Sequence, residues 1–177
     1  MIEIFNEIDD RLSTVKRWAL LRTIQSQSVA EHCFNVERIA VRIAQQWFDI
    51  EDNDHLFHIS QYALHHDDLE AITGDIPSPA KRYITVVEGK IDTAIDPWYN
   101  RATGEVKAIV KLADLMESYR FLASEILMGN EYIRRHMEQL GTEMFAHIAK
   151  HNWKDEILEW CDRWTFDTRE EGSKIYE

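Results

Sequence analysis

Side chains able to do chemistry crowd most densely between positions 64 and 81, in Leu64-His-His-Asp-Asp-Leu-Glu-Ala-Ile-Thr-Gly-Asp-Ile-Pro-Ser-Pro-Ala-Lys81. His66 and Asp67 adjoin at what reads as a helix end, where an imidazole and a carboxylate can both reach one divalent cation if the backbone turns. Glu70 stands four residues after His66, so on a continuous helix it projects from the same face. A cation draws the pKa of bound water toward neutrality, and a carboxylate beside it can move the proton. Two further ligands are available. His32 lies in the first turn of a helix, and Asp114 lies in the otherwise apolar Val110-Lys-Leu-Ala-Asp-Leu115, where a buried carboxylate needs a partner. Two imidazoles and two carboxylates suit Mn, Co, Fe, Zn or Mg without choosing among them.

Each of these residues also has a plainer reading. His32 alone is a packing histidine, and a His-Asp dipeptide alone is common. Asp114 can form a helix ion pair with Lys111, three residues earlier. His65 points away from the His66 face. His55 and His58 have helical spacing but no acidic partner set, which reads as a solvated surface. Cys33 reads as core, as do the tryptophans, Trp18 excepted.

The elements that must carry these residues are helices. There are 3 prolines, at 77, 79 and 97, and 6 scattered glycines, so long stretches run without a breaker. No alternation of β-branched residues is long enough for a strand. The periodicity predicts helices over 2–14, 28–47, 53–66, a short piece over 67–73, then 79–94, about 103–129, 130–151 and 155–164. Ser28-Val-Ala-Glu31 is a capping box opening the second helix, whose apolar side is Val29, Cys33, Val36, Ala40, Ile43 and Trp47. Thr103 is a candidate cap and Gly129 a candidate C-terminal stop. The expected architecture is all-α, a single domain over 1–177. Its motif-bearing core covers about 11–130, followed by C-terminal helices to about 165 and a polar tail over 166–177.

Asp and Glu number 32 against 20 Lys and Arg, a net charge of −12, which disfavours polymeric nucleic acid and anionic membranes. A small anion remains possible where a few local cations outweigh the distant field. No apolar run approaches the roughly 20 residues of a membrane span. The acidic opening, MIEIFNEIDDRL, reads as neither signal nor transit peptide. Cys33 and Cys161 form no disulfide or metal spacing, which suits the cytoplasm.

Taken together, the ordered set resembles the HD-domain metal-dependent phosphohydrolases, whose H…HD…D pattern is met by His32, His66-Asp67 and Asp114 at spacings of 34 and 47 residues. It is most similar to the YfbR-like 5′-deoxynucleotidase group, through Lys16-Arg-Trp18, Val29-Ala-Glu-His32, His66-Asp-Asp-Leu-Glu70, Thr73-Gly-Asp-Ile-Pro-Ser-Pro-Ala-Lys81 and Lys111-Leu-Ala-Asp114. The chain also looks similar to a phage branch, the dATP triphosphohydrolases, in length and in the placement of Arg17, Trp18, Lys81 and Lys111. The resemblance implies a helical HD fold around a central divalent metal (Co²⁺, Mn²⁺, Zn²⁺ or Mg²⁺) held by His32, His66, Asp67 and Asp114. Glu70 becomes the acid/base, and Asp75 a further catalytic position near the substrate. Arg17, Lys81 and Lys111 would hold phosphate oxygens, and Trp18 would stack on or wall the sugar and base. Leu20 and Pro79 become pocket residues. A homo-oligomer, dimer or larger ring, is also implied. One departure is Asp68, an acid where small residues are frequent.

The resemblance implies a hydrolase of 2′-deoxynucleotides with water attack at the α-phosphorus. Lys81, Arg82, Lys107 and Lys111 could serve β- and γ-phosphates, which tips the expectation toward a dATP triphosphohydrolase. The alternatives are a general 5′-deoxynucleotidase acting on monophosphates and a non-enzymatic helical scaffold with a retained metal. A cyclic-dinucleotide phosphodiesterase would need additional histidines in register, which the chain does not offer.

Overall fold

The computed structural model describes residues 2–77, 102–153 and 157. The expected helices at 79–94 and 155–164, the polar tail, Pro79 and Lys81 lie outside the described residues. Among those residues the regular structure is helical: α1 (Ile2–Thr14), α2 (Val29–Trp47), α3 (Asn53–His65), α4 (Glu70–Thr73), α5 (Gly104–Leu127), a short 3₁₀ turn (Glu131–Ile133) and α6 (Arg134–Lys150). The one β-like feature described is a single antiparallel bridge between Lys16 and Ser28. No described helix is long and apolar enough to cross a membrane. The chain divides into two compact units at the bond between Ala113 and Asp114, inside α5.

In the first unit, α2 is the organising element. Ser28 sits in extended backbone (φ −85°, ψ 160°), and its hydroxyl accepts the Glu31 N–H at 3.1 Å, satisfying one of the helix's open donors. Glu31 also puts negative charge against the positive end of the helix dipole. The buried stripe is Val29, His32, Cys33, Val36, Ile39, Ala40, Ile43 and Ala44, steps of three and four that keep one face turned inward. Trp47, expected on this stripe, is half-buried. Ile59 and Ala63 are the buried residues of α3, which packs on α2, and Ser60 Oγ donates to Glu37 Oε1 at 2.9 Å between the two helices. Ile8 and Leu12 of α1 join Val29, Cys33 and Ala71 in one apolar cluster. Ile43 is fully buried, and truncation to Ala would cost about 2–5 kcal/mol in transfer and cavity terms.

Between α1 and α2 the chain makes a loop closed at its neck by main-chain groups. The Val29 N–H donates to Val15 O at 3.0 Å, and the Arg17 N–H to Gln27 O at 2.9 Å.

Within the second unit, α5 stops beyond Leu127, where Gly129 adopts φ +95°, a left-handed conformation that glycine takes at little steric cost. The Asn130 N–H donates to Glu125 O at 3.0 Å, and Asn130 Nδ2 to Glu125 Oε2 at 2.8 Å, so the fully buried Glu125 ties off the turn. α6 approaches α5 closely at Gly141, where an added Cβ would lie 3.4 Å from Tyr119 Cε2. Met137, Met144 and Ile148 form the buried side of α6.

Candidate metal centre

α2 and α3 bring His32, His66 and Asp67 to one point. The Asp67 carboxylate oxygen Oδ2 faces both imidazoles, 3.7 Å from His32 Nε2 and 3.5 Å from His66 Nε2. The two rings are tilted by 55° with centroids 5.4 Å apart. His32 is fully buried, and the His66 and Asp67 side chains are nearly so.

The chemistry of the donors suits a divalent cation. His66 caps the end of α3, and its Nδ1 lies 2.7 Å from the Ala63 carbonyl oxygen, which can only accept. The proton therefore belongs on Nδ1, and Nε2 keeps its lone pair, the arrangement metal-bound histidines adopt. His66 Nε2 is buried and makes no hydrogen bond among the described residues. Cys33, His66 and Asp67 also bring one ligand atom each within 4.8 Å of one another. Burial first, then the Asp67 carboxylate, push the Cys33 thiol well above its usual range; Arg17 opposes this, and Asp68 and Glu70 add to it. One buried thiol thus feels the charge of four residues that the sequence pattern groups together.

Glu70 is buried, but not through the helical geometry expected of it. α3 ends at His65, and α4 begins at Glu70. Between them the chain tightens into bonds three residues long: Asp68 N–H to His65 O, Glu70 N–H to Asp67 O and Ala71 N–H to Asp68 O. At three residues per turn, a four-residue step no longer returns to the same face. Glu70 is tied instead to Asp67, its N–H donating to that residue's carbonyl at 2.9 Å.

Asp68, the acidic departure, is buried and paired with His65, whose Nδ1 lies 2.8 Å from Asp68 Oδ2. His55, expected on a solvated surface without an acidic partner, is half-buried with its Nε2 3.7 Å from Glu105 Oε2. That partner lies 50 residues along the chain, beyond the reach of local spacing.

Arg17 and Trp18 stand at the neck of the loop. The Arg17 guanidinium donates to His32 Nδ1 and lies over the Trp18 ring, 5.1 Å from its centroid. Trp18 has φ +67°, uncommon for a bulky residue. Its indole N–H donates to Gln27 Oε1 at 3.2 Å, an arrangement that no sequence motif announces. Leu20 is 75% exposed. Asp75 is half-buried just beyond Gly74, and Lys111 is exposed on α5. Asp114, the first residue of the second unit, is half-buried between buried Ala113 and Leu115.

A helical scaffold that brings a histidine and a His-Asp pair together in this way is the arrangement of the HD-domain phosphohydrolase class. The 5′-deoxynucleotidase YfbR-like family matches residues 4–94, half of the chain, and the chain belongs to that family. A 5′-deoxynucleotidase of Vibrio atlanticus is 29% identical over 156 residues, covering 73% of this chain and 79% of that protein. The dATP triphosphohydrolase of Acinetobacter phage SH-Ab 15497 is 37% identical over 125 residues, 60% of this chain and 61% of that protein. In fold, the chain is similar to the cyanophage S-2L HD phosphohydrolase (DatZ) bound to dA and one catalytic Zn²⁺ ion. The TM-score is 0.79 at 19% identity, over 90% of this chain and 95% of that one.

Proposed function

We propose that the protein hydrolyses a 2′-deoxynucleotide by water attack at the α-phosphorus, with dATP as substrate and deoxyadenosine plus triphosphate as products. The observation that carries this reading is the convergence of His32 Nε2, His66 Nε2 and Asp67 Oδ2, with Glu70 bonded to Asp67 through the backbone. Asp114 would complete the ligand set, as a half-buried carboxylate on an otherwise apolar stretch of α5. A divalent ion held there would supply Lewis acidity for the phosphoryl chemistry.

The chain's own residues do the rest. Glu70 takes a proton from the attacking water; the bond from phosphorus to the 5′ oxygen breaks, and that oxygen takes up a proton as the deoxynucleoside leaves. Asp75 would be a second catalytic residue near the substrate. Ligation by His32 Nε2 requires the ring proton to sit on Nδ1, so the Arg17 guanidinium must turn aside. A phosphate oxygen is the acceptor whose geometry suits it. Trp18 would wall the sugar and base, and Leu20 and Pro79 are proposed as further pocket residues. Lys111 and Lys107, four residues apart on α5, supply cations on one helix face, and Lys81 adds another. These cations and the 37% identity to a dATP triphosphohydrolase support the triphosphate reading.

The family's own description supports a second reading, a general 5′-deoxynucleotidase acting on monophosphates. The two share their chemistry at the α-phosphorus and separate by product. Metal-stripped protein would be reloaded with Co²⁺, Mn²⁺, Zn²⁺ or Mg²⁺ and offered all dNMPs and dNTPs, with ATP as ribose control. Triphosphate and deoxyadenosine from dATP support the first reading, and orthophosphate from several dNMPs the second. No turnover with any metal leaves a helical metal-binding scaffold. A homo-oligomer, dimer or ring, is proposed alongside, and light scattering tests it.

A further inference from the structure

We propose that Gln27 is a positioning residue that fixes the recognition pair Arg17–Trp18 through two separate bonds. The proposal rests on the deoxynucleotide reading above for its kinetic consequence, though not for its geometry.

Gln27 is 3% exposed, although its neighbours Gln25 and Ser26 on the same loop are exposed. A polar side chain buried on a loop must be held by hydrogen bonds, and a listener for two residues at once is what the geometry gives. Its side-chain oxygen accepts the Trp18 indole N–H at 3.2 Å. Its main-chain oxygen accepts the Arg17 N–H at 2.9 Å. The indole nitrogen can only donate, so the amide must present its oxygen, and its orientation follows from chemistry. Gln27 also directly precedes Ser28, the cap of the helix that carries His32, so the anchor is continuous with that helix's start.

What this anchor holds is a conformation that does not hold itself. Trp18 has φ +67°, and such backbone persists where surrounding contacts over-determine it. With the indole edge pinned by Gln27, one ring face meets the Arg17 guanidinium 5.1 Å from its centroid. The ring and the Arg17 main chain are thereby fixed side by side, so the guanidinium turns from His32 toward a phosphate about an anchored backbone. A flat base and an anionic phosphate can then be met together, without first ordering two independent side chains.

The test is a double-mutant cycle with a resonance readout. Gln27→Met keeps the volume and removes the acceptor; Trp18→Phe removes the donor. Gln27→Met is expected to raise KM for the deoxynucleotide substrate by about tenfold, with kcat and bound metal close to wild type, because one neutral hydrogen bond is lost. In a Trp18→Phe background the same substitution is expected to add nothing further. An unchanged KM, or effects of the two substitutions that simply multiply, would overturn the proposal. The second readout needs neither turnover nor a folded Gln27 variant. In ¹⁵N-labelled wild-type protein the Trp18 indole resonance, identified by its loss in Trp18→Phe, is expected to exchange slowly with solvent; rapid exchange would overturn the proposal. Wild-type protein that turns over no deoxynucleotide but protects this N–H would refute the functional reading while leaving the anchor intact.

Discussion

His66 Nδ1 bonds the carbonyl oxygen of Ala63, three residues back on α3, at 2.7 Å. That bond fixes the ring's proton on one nitrogen and aims the other at Asp67. His66→Ala is therefore expected to lower bound metal, read by elemental analysis, by at least about tenfold, as lost ligands and their supports do. Metal content equal to wild type would remove His66 from the ligand set.

Glu70→Gln separates chemistry from ligation. It keeps the shape and one hydrogen-bonding oxygen but cannot take a proton. Turnover is expected to fall by about 10²–10⁴-fold with metal content and Tm retained, in line with the loss of a general base. Undiminished turnover in single-turnover assays would assign the proton to another group.

If Arg17 holds phosphate as proposed, Arg17→Lys is not a conservative change. It is expected to lower kcat/KM by about 10–100-fold, because lysine offers a point charge where the guanidinium offers two parallel donors. Metal affinity, followed by titration calorimetry, should not decline, because Arg17 shares His32 Nδ1 with no ion. A parallel loss of metal would make Arg17 a support of the centre and not a phosphate clamp.

Cys33 carries the pH prediction. Burial and the neighbouring carboxylates hold its folded pKa above that of the unfolded thiol. A raised folded pKa means that the associated stability is whole below the unfolded thiol's ordinary value, and declines as pH rises from there toward the folded value. Native protein at pH 8 should leave Cys33 unalkylated by iodoacetamide, whereas urea-unfolded protein should be labelled; peptide mass mapping distinguishes it from Cys161. Fast labelling of native Cys33 would show that the α2 interior opens.

Chelation is expected to lower Tm by roughly 5–10 °C. An ion present at about a hundredfold over its Kd contributes about 2.7 kcal/mol, and each kcal/mol is worth about 2–4 °C at this chain length. Restoring the metal should restore the melting temperature; an unchanged Tm would mean that the site is not loaded.

The sequence made most of this legible where one residue did one local job. Ser28 announced the start of α2, and the three-and-four spacing from Val29 to Ile43 announced its buried face. Gly129 announced the stop of α5. Reading failed where the backbone changed its pitch: the chain from His66 to Glu70 tightens, so Glu70 reaches its buried place without the continuous helix that the spacing implied. It failed again for contacts distant in sequence, such as His55 with Glu105. Gln27 was missed because a glutamine on a polar loop looks like every other one until its burial is known. Its one local sign was its place directly before a helix cap.

The neck of the loop from Val15 to Val29 is drawn shut by main-chain groups, which every amino acid except proline can supply in full. The residues from 19 to 26 therefore form an exchangeable cassette. Lengthening such a closed loop costs little, about 0.6 kcal/mol for each doubling, so relatives can differ there in length and side chains while the anchor points keep their places. A chimera that swaps only residues 19–26 for those of a relative should therefore fold as its host does.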